Sequence, residues 1–298
     1  MWQPDRLLPG FEALELPAPD DYDGRVVATL VRLPVPVAPQ GAVRGTVLYV
    51  HGFTDYFFQR RMAERFAAEG YAFYALDLRK HGRSLLPHQH PCFCKDIAEY
   101  YDDITRALEE IGTEVLLAGH STGGLICSLY KHGGQLKDRV RALWLNSPFF
   151  DWKDAVRRRV AIASMLGRFF PYLHEPKAVH PDYGRSLHRK WGGEWDYDLA
   201  LKPVNGFSAY AGWTRAICAA HARVHMGLDL DIPVLSMHSD ESDIVLDWKQ
   251  AARWSRTLGK NVVVQAFPGG LHDLVLSRQE IRDAVFREFF SWAARSGA

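Results

Sequence analysis

The chain has 298 residues, long enough to bury a large core, and its 36 Lys and Arg stand against 35 Asp and Glu; that balance excludes a global electrostatic pull toward nucleic acid. Four cysteines, Cys92, Cys94, Cys127 and Cys218, are too few and too scattered for a disulfide framework and suit a reducing compartment. Residues 1–10 lack the apolar region of a secretion signal and no stretch approaches the length that spans a bilayer, so the expected location is the cytoplasm.

Alternating segments at 11–16 and 26–33, separated by residues 17–24, predict an antiparallel hairpin at a sheet edge within residues 11–37. Residues 45–50 form a continuous apolar run of the kind buried on both faces of a parallel sheet, and they lead into His51-Gly52-Phe53-Thr54-Asp55. A helical pattern follows over 57–69. The next apolar strand, 71–77, runs into Leu78-Arg79-Lys80-His81-Gly82-Arg83-Ser84, and a helix is expected from about 96 to 111, with strands at 114–118 and 140–146. Strand and helix alternate with short connections, the signature of an α/β fold whose mostly parallel central sheet carries helices on both faces.

Between residues 151 and 227 the alternation stops. Helical patterns at 156–170 and 208–225 are joined by an irregular stretch, 171–205, whose many aromatics argue against a disordered loop. The reading is a helical cap inserted over the carboxyl edge of the sheet. Alternation then resumes with a strand at 232–237, a helix at 247–258, a strand at 262–267 and a final helix at 280–294. The expected organisation is a first core part over 1–150, the cap over 151–227 and a second core part over 228–298.

The chemistry centres on Gly119-His120-Ser121-Thr122-Gly123, a G-x-S-x-G pentapeptide with a strand before it and a helix after it. A serine on such a turn is held in a strained conformation at the carboxyl end of the sheet, and glycines flank it because the turn leaves no room for a Cβ. A serine hydroxyl is a poor nucleophile at neutral pH and needs a base, which in turn needs an orienting group. In an open α/β sheet both must come from loops at the carboxyl ends of later strands. His272, in the glycine-rich loop directly after the last strand, is the candidate base. The candidate acid lies in His238-Ser239-Asp240-Glu241-Ser242-Asp243; Asp243 is chosen because Ile244 and Val245 can pack the loop down behind it, with Asp240 as runner-up. Two backbone donors for the tetrahedral oxyanion are expected from the amides of Thr122 and Phe53. His51 is read as a structural hydrogen-bonding residue, and Asp77 as structural in the turn that follows it.

Taken together, Gly119 to Gly123, His51-Gly52-Phe53, the Asp77 to Ser84 segment, Asp243-Ile244-Val245 and Gly270-Leu271-His272-Asp273 resemble the α/β-hydrolase superfamily, and within it the monoacylglycerol lipase and lysophospholipase branch, which is serine aminopeptidase-like. The likeness covers the core, roughly residues 26–150 and 228–296, in the order serine, acid, histidine. The cap carries no motif that can be matched, and His238-Ser239 replaces the glycine often found there. The resemblance implies a serine hydrolase of carboxylic esters acting through an acyl-enzyme without a cofactor, on a small-molecule ester or lipid substrate. Peptidase, amidase and carbon-carbon bond hydrolase chemistries remain open on the same residues, and a non-catalytic receptor or scaffold is the alternative of a different class.

His88-Gln89-His90-Pro91-Cys92-Phe93-Cys94 offers ligand types in close array, but no second cluster completes zinc-site spacing, so no metal is expected and a surface or cap-contacting loop is preferred. Trp152, Trp191, Trp195 and Trp213 are expected in the core of the cap. Residues 151–227 contain 12 Lys and Arg against 7 Asp and Glu, a basic lid on a slightly acidic body. That charge either faces water or attracts an anionic substrate or lipid surface. No nucleic-acid partner is expected, and nothing in the sequence specifies an oligomer.

Overall fold

The computed structural model describes residues 1–34, 43–176 and 179–297; residues 35–37 of the expected edge region and Lys177 and Ala178 in the irregular stretch lie outside the described residues. In chain order the elements are β1 (Gln3–Pro4), β2 (Glu12–Asp21), β3 (Gly24–Arg32), β4 (Gly45–Val50), α1 (Arg60–Ala68), β5 (Tyr71–Asp77), α2 (Glu99–Ile111), β6 (Val115–His120), α3 (Thr122–Gly133) and β7 (Val140–Asn146). Then follow α4 (Arg157–Leu166), β8 (His174–Glu175), α5 (Pro181–Leu187), β9 (Ala209–Tyr210), α6 (Ala211–His225), β10 (Val234–His238), α7 (Trp248–Ser255), β11 (Val262–Ala266) and α8 (Gln279–Ser296).

The main sheet has the order β1-β2-β3-β5-β4-β6-β7-β10-β11. β1, β2 and β3 run antiparallel at one edge, and β3 also meets β5 antiparallel. From β5 to β11 every pairing is parallel. Because side chains alternate along a strand, each central strand feeds two cores. Leu48, Val50, Val115 and Leu117 join one cluster with the buried faces of α2, α3 and α6. Val47, Tyr49, Leu116 and Ala118 join the other with α1 and α8, where Phe66 packs against Phe73 and Phe289. The continuous apolar runs of β4 and β6 thus reflect burial on both faces.

The predicted elements are present, with boundaries moved by tertiary hydrogen bonds. The helix expected from 57 begins at Arg60, because the Phe57 amide donates to Asp77 Oδ1 at 2.8 Å and its carbonyl accepts from Arg83 Nη1 at 2.8 Å. β2 runs through Pro17 and Pro19 and turns back only after Asp21; among the described residues its outer edge has no strand partner beyond Ala13, and its pairing with β3 shifts register between Ala18 and Asp21, a sheet-edge setting that tolerates proline. The irregular stretch of residues 171–205 is more ordered than its sequence suggests. It contains α5, and β8 pairs with β9 in a two-stranded sheet.

Candidate active site

The carboxyl ends of β4, β6, β10 and β11 converge on Ser121. Its backbone sits at φ 53 and ψ −118, a region that costs a non-glycine residue energy and persists only where the surroundings impose it. They do so on both sides. A Cβ at Gly119 would stand 2.6 Å from the Gly123 carbonyl oxygen, and one at Gly123 would overlap the carbonyls of Val50 and His51. The Ser121 amide donates to the Asn146 carbonyl at 3.0 Å, and the Ser121 carbonyl accepts from Gly124 and Phe149, both at 3.0 Å.

The turn after β4 packs directly on the serine, since a Cβ at Gly52 would lie 3.1 Å from Ser121 Cβ. Among the described residues no hydrogen bond engages the backbone amide of Phe53 or of Thr122. His51 holds this turn. Its Nδ1 donates to the Gly52 carbonyl at 2.8 Å and its Nε2 accepts from the Leu78 amide at 3.0 Å, so both ring nitrogens are occupied. Asp77 accepts from the Arg83 amide at 3.0 Å and from Arg83 Nη1 at 2.9 Å.

His272 Nδ1 donates to Asp243 Oδ2 at 2.9 Å, with both side chains buried. Burial alone would raise the Asp243 carboxyl, but His272 and the amides of Leu246 and Val245, at 2.9 and 2.7 Å from Oδ1, hold it below the ordinary carboxylate range. Asp240 does something else. Half-buried, it accepts from the amides of Ser242 at 3.0 Å and Gly269 at 3.1 Å, pinning the loop after β10 to the loop after β11.

Ser121, Thr122, Phe53 and His272 line one cavity of about 560 Å³, and Asp243 lies behind His272. Much of its wall comes from residues 152–214, including Val160, Ala163 and Leu166 of α4. Trp213, buried in a core cluster as expected, and Trp152, packed against that cluster, also line the cavity, Trp213 stacking on Phe53 with ring centroids 4.0 Å apart. Trp195 is buried and donates to the Leu276 carbonyl at 2.8 Å, whereas Trp191 is exposed.

A model of the family described as Hydrolase_4, serine aminopeptidase S33, matches residues 41–279. The chain belongs to this family. The hydrolase is 32% identical over 249 residues to a monoacylglycerol lipase of Mycolicibacterium smegmatis, covering 79% of this chain and 84% of that one. In structure it is similar to a soluble variant of the monoglyceride lipase of Saccharomyces cerevisiae, with a TM-score of 0.72 at 20% identity over 95% of this chain and 97% of that one. It is also similar to the monoacylglycerol lipase of Paleococcus ferrophilus, with a TM-score of 0.67 at 22% identity over 84% and 94%. These likenesses give the hydrolase its fold, the α/β-hydrolase fold.

Residues that the sequence reading did not single out hold the site together. Asn146, at the end of β7, accepts the Ser121 amide on its carbonyl while its side chain bonds Asp273 Oδ1 at 2.6 Å and the Leu274 amide at 3.1 Å. It therefore ties the serine turn to the His272 loop. Tyr183 of α5 accepts the Asp273 amide at 3.1 Å, joining that loop to residues 151–227. The signal for Asn146 was its place at a strand end; its side-chain partners are 127 residues or more away in sequence.

Among the described residues, one trio has metal-ligand chemistry in close array: Asp55, His120 and Asp273, with atoms within 4.8 Å of one another. The donor set fits an ion-paired cluster better than a metal centre. The Lys202 ammonium stands 2.5 Å from Asp55 Oδ1, and burial drives His120 down to about 4, leaving a neutral imidazole whose Nδ1 donates to the Asn146 carbonyl at 3.1 Å. In the 88–94 loop, His90 bonds Asp23 at 3.0 Å and meets the Tyr172 ring at a tilt with centroids 4.5 Å apart, while Cys92 and Cys94 are buried with thiols pushed up by that burial.

Proposed function

We propose that this hydrolase cleaves carboxylic esters through an acyl-enzyme formed on Ser121. The observation that carries the reading is the 2.9 Å bond between His272 and Asp243 beside a cavity that also holds Ser121 in its strained turn. His272 Nε2 takes the Ser121 proton as Oγ attacks the ester carbonyl, and Asp243 fixes the imidazole tautomer and stabilises the imidazolium. The amides of Phe53 and Thr122 donate to the oxyanion. The tetrahedral intermediate collapses, His272 protonates the departing alkoxide, and water repeats the sequence to release the acid. The protein groups suffice for this chemistry without a cofactor.

The substrate class proposed is a small ester or a single-chain lipid such as a monoacylglycerol or lysophospholipid, supported by the apolar wall of α4 and by the named relatives. Residues 151–227 act as a cap between the two core parts, 1–150 and 228–298. Ile162 and Leu173 line the cavity yet are 56% and 53% exposed, and Met165, Phe169 and Phe170 extend an apolar ridge beside them. Arg158 and Arg168 are exposed on the same stretch. Such a ridge with basic neighbours fits peripheral contact with an anionic lipid surface at the cavity rim. No helix among the described residues is long and apolar enough to cross a membrane, and the four free thiols suit the cytoplasm.

The test is labelling with a fluorophosphonate probe together with a panel of nitrophenyl esters of increasing chain length, monoacylglycerols, lysophospholipids and aminoacyl amides. Labelling at Ser121, lost in Ser121→Ala, with turnover of the esters is expected. Turnover of aminoacyl amides alone would assign the same residues to a peptidase, and no labelling would make the chain a receptor or scaffold.

A further inference from the structure

Two residues beyond Phe53, the Asp55 side chain forms an ion pair with Lys202, which arrives from residues 151–227; both side chains are buried. The pair lines the cavity that contains Ser121. It stands at the reacting end of that cavity, because an Asp55 oxygen lies within 4.8 Å of a ring nitrogen of His120, the residue before the serine. Lys202 Nζ also lies 5.1 Å from the Phe58 ring centroid and 5.6 Å from that of Tyr197. Two aromatic faces and a carboxylate are the components of a cation subsite, and here the cation is the chain's own.

The rest of the cavity wall follows the same rule. Glu175, the other carboxylate on the described wall, pairs with Arg159 at 3.2 Å, and Lys153 adds a further positive charge. Every wall carboxylate is therefore matched internally. An ammonium brought in by a substrate finds no free anion and meets the Lys202 charge at close range, which disfavours it.

We propose that Lys202 is a specificity-determining residue: it fills the place at Asp55 that a cationic substrate group would take, so the enzyme discriminates against esters carrying an ammonium near the scissile bond. The inference rests on the ester-hydrolase reading above. Removing the Lys202 charge leaves Asp55 as a buried carboxylate without a counter-ion, which an incoming ammonium would neutralise. The same site then selects for what it now rejects.

Two substrates of matched shape separate this from a packing role: octanoylcholine and 3,3-dimethylbutyl octanoate, which differ in a quaternary nitrogen against a carbon. Wild-type enzyme is expected to prefer the neutral ester in kcat/KM by about tenfold or more. Lys202→Met should move the cationic-to-neutral ratio toward the choline ester by at least about tenfold, and Lys202→Arg should keep the wild-type ratio. The double variant Asp55→Asn with Lys202→Met, which has no charge at the site, should lose the shift. A ratio taken within one preparation does not depend on the folded fraction, and Lys202→Gln serves if the methionine variant does not fold. An unchanged ratio in the charge-removed variant, or a wild type indifferent to the substrate's charge, overturns the proposal while leaving ester hydrolysis intact. Failure of the wild type to turn over the neutral ester overturns the ester-hydrolase reading itself.

Discussion

Asn146 donates its side-chain amide to Asp273 Oδ1 at 2.6 Å, and through this bond the strand that follows the serine helix holds the loop that carries His272. Asp273 is fully buried and takes further hydrogen bonds from Val275 and Gln59, so losing Asn146 leaves it partly unsatisfied. We expect Asn146→Ala to lower stability by about 1–3 kcal/mol in urea unfolding, the cost of an unpaired buried polar group. It should also lower kcat by more than tenfold, because a displacement near 1 Å at the base can cost on the order of 10²-fold. Full activity in this variant would show that the His272 loop is positioned by other contacts.

The two carboxylates of the loop after β10 have different partners, and their substitutions should differ accordingly. Asp243→Asn is expected to reduce kcat on the order of 10⁴-fold by favouring the wrong imidazole tautomer. Asp240→Asn keeps an oxygen acceptor for the two amides that Asp240 binds and should change kcat by less than about threefold. Steady-state kinetics on one nitrophenyl ester decides the ranking, and the reverse order would transfer the orienting role to Asp240.

Removal of Ser121 or His272 tests the unit as a whole. Alanine at either position should depress turnover by on the order of 10⁴-fold or more with little change in circular dichroism or unfolding midpoint, because members of such a unit act together. Retention of most esterase activity by either variant removes that residue from the mechanism.

Acid should destabilise the fold through three buried imidazoles. Burial drives His120 and His221 down to about 4 and His81 to about 3, so each is neutral in the folded protein while the unfolded chain binds a proton below its ordinary value of 6.5. The unfolded state thus holds more protons between about pH 6.5 and 4, and stability falls as pH falls through that window, by roughly 3 kcal/mol for each imidazole. Asp243, held low by His272, adds to the loss only at lower pH, when the carboxylate itself is protonated. Urea midpoints measured from pH 7 to 4 check the slope. His221→Gln, which keeps a donor for the Phe149 carbonyl, should flatten it.

The basic excess of residues 151–227 predicts salt dependence confined to charged substrates. Here kcat/KM should fall with added salt for an anionic ester and hardly change for a neutral ester of equal chain length, since screening acts only on the charged one. Equal salt dependence for both would leave those charges as ordinary surface.

The order of the elements and the position of the serine turn were legible in the sequence, because both depend on short-range pattern. Residues 47–50 and 115–118 are apolar without alternation since β4 and β6 are buried on both faces, and Gly119 and Gly123 must be glycine since the backbone passes where a Cβ would stand. Position after a strand was enough to single out His272, whose loop follows β11 directly. Helix starts were less legible, as the delay of α1 to Arg60 shows, for the competing hydrogen bonds come from Asp77 and Arg83 far along the chain. Only the tertiary structure decided that Asn146 binds Asp273, that Trp152 and Trp213 form cavity wall, and that Lys202 meets Asp55. Each of these depends on which side chains converge across the carboxyl edge of the sheet, at sequence separations of tens to more than a hundred residues, and no local periodicity records such a meeting.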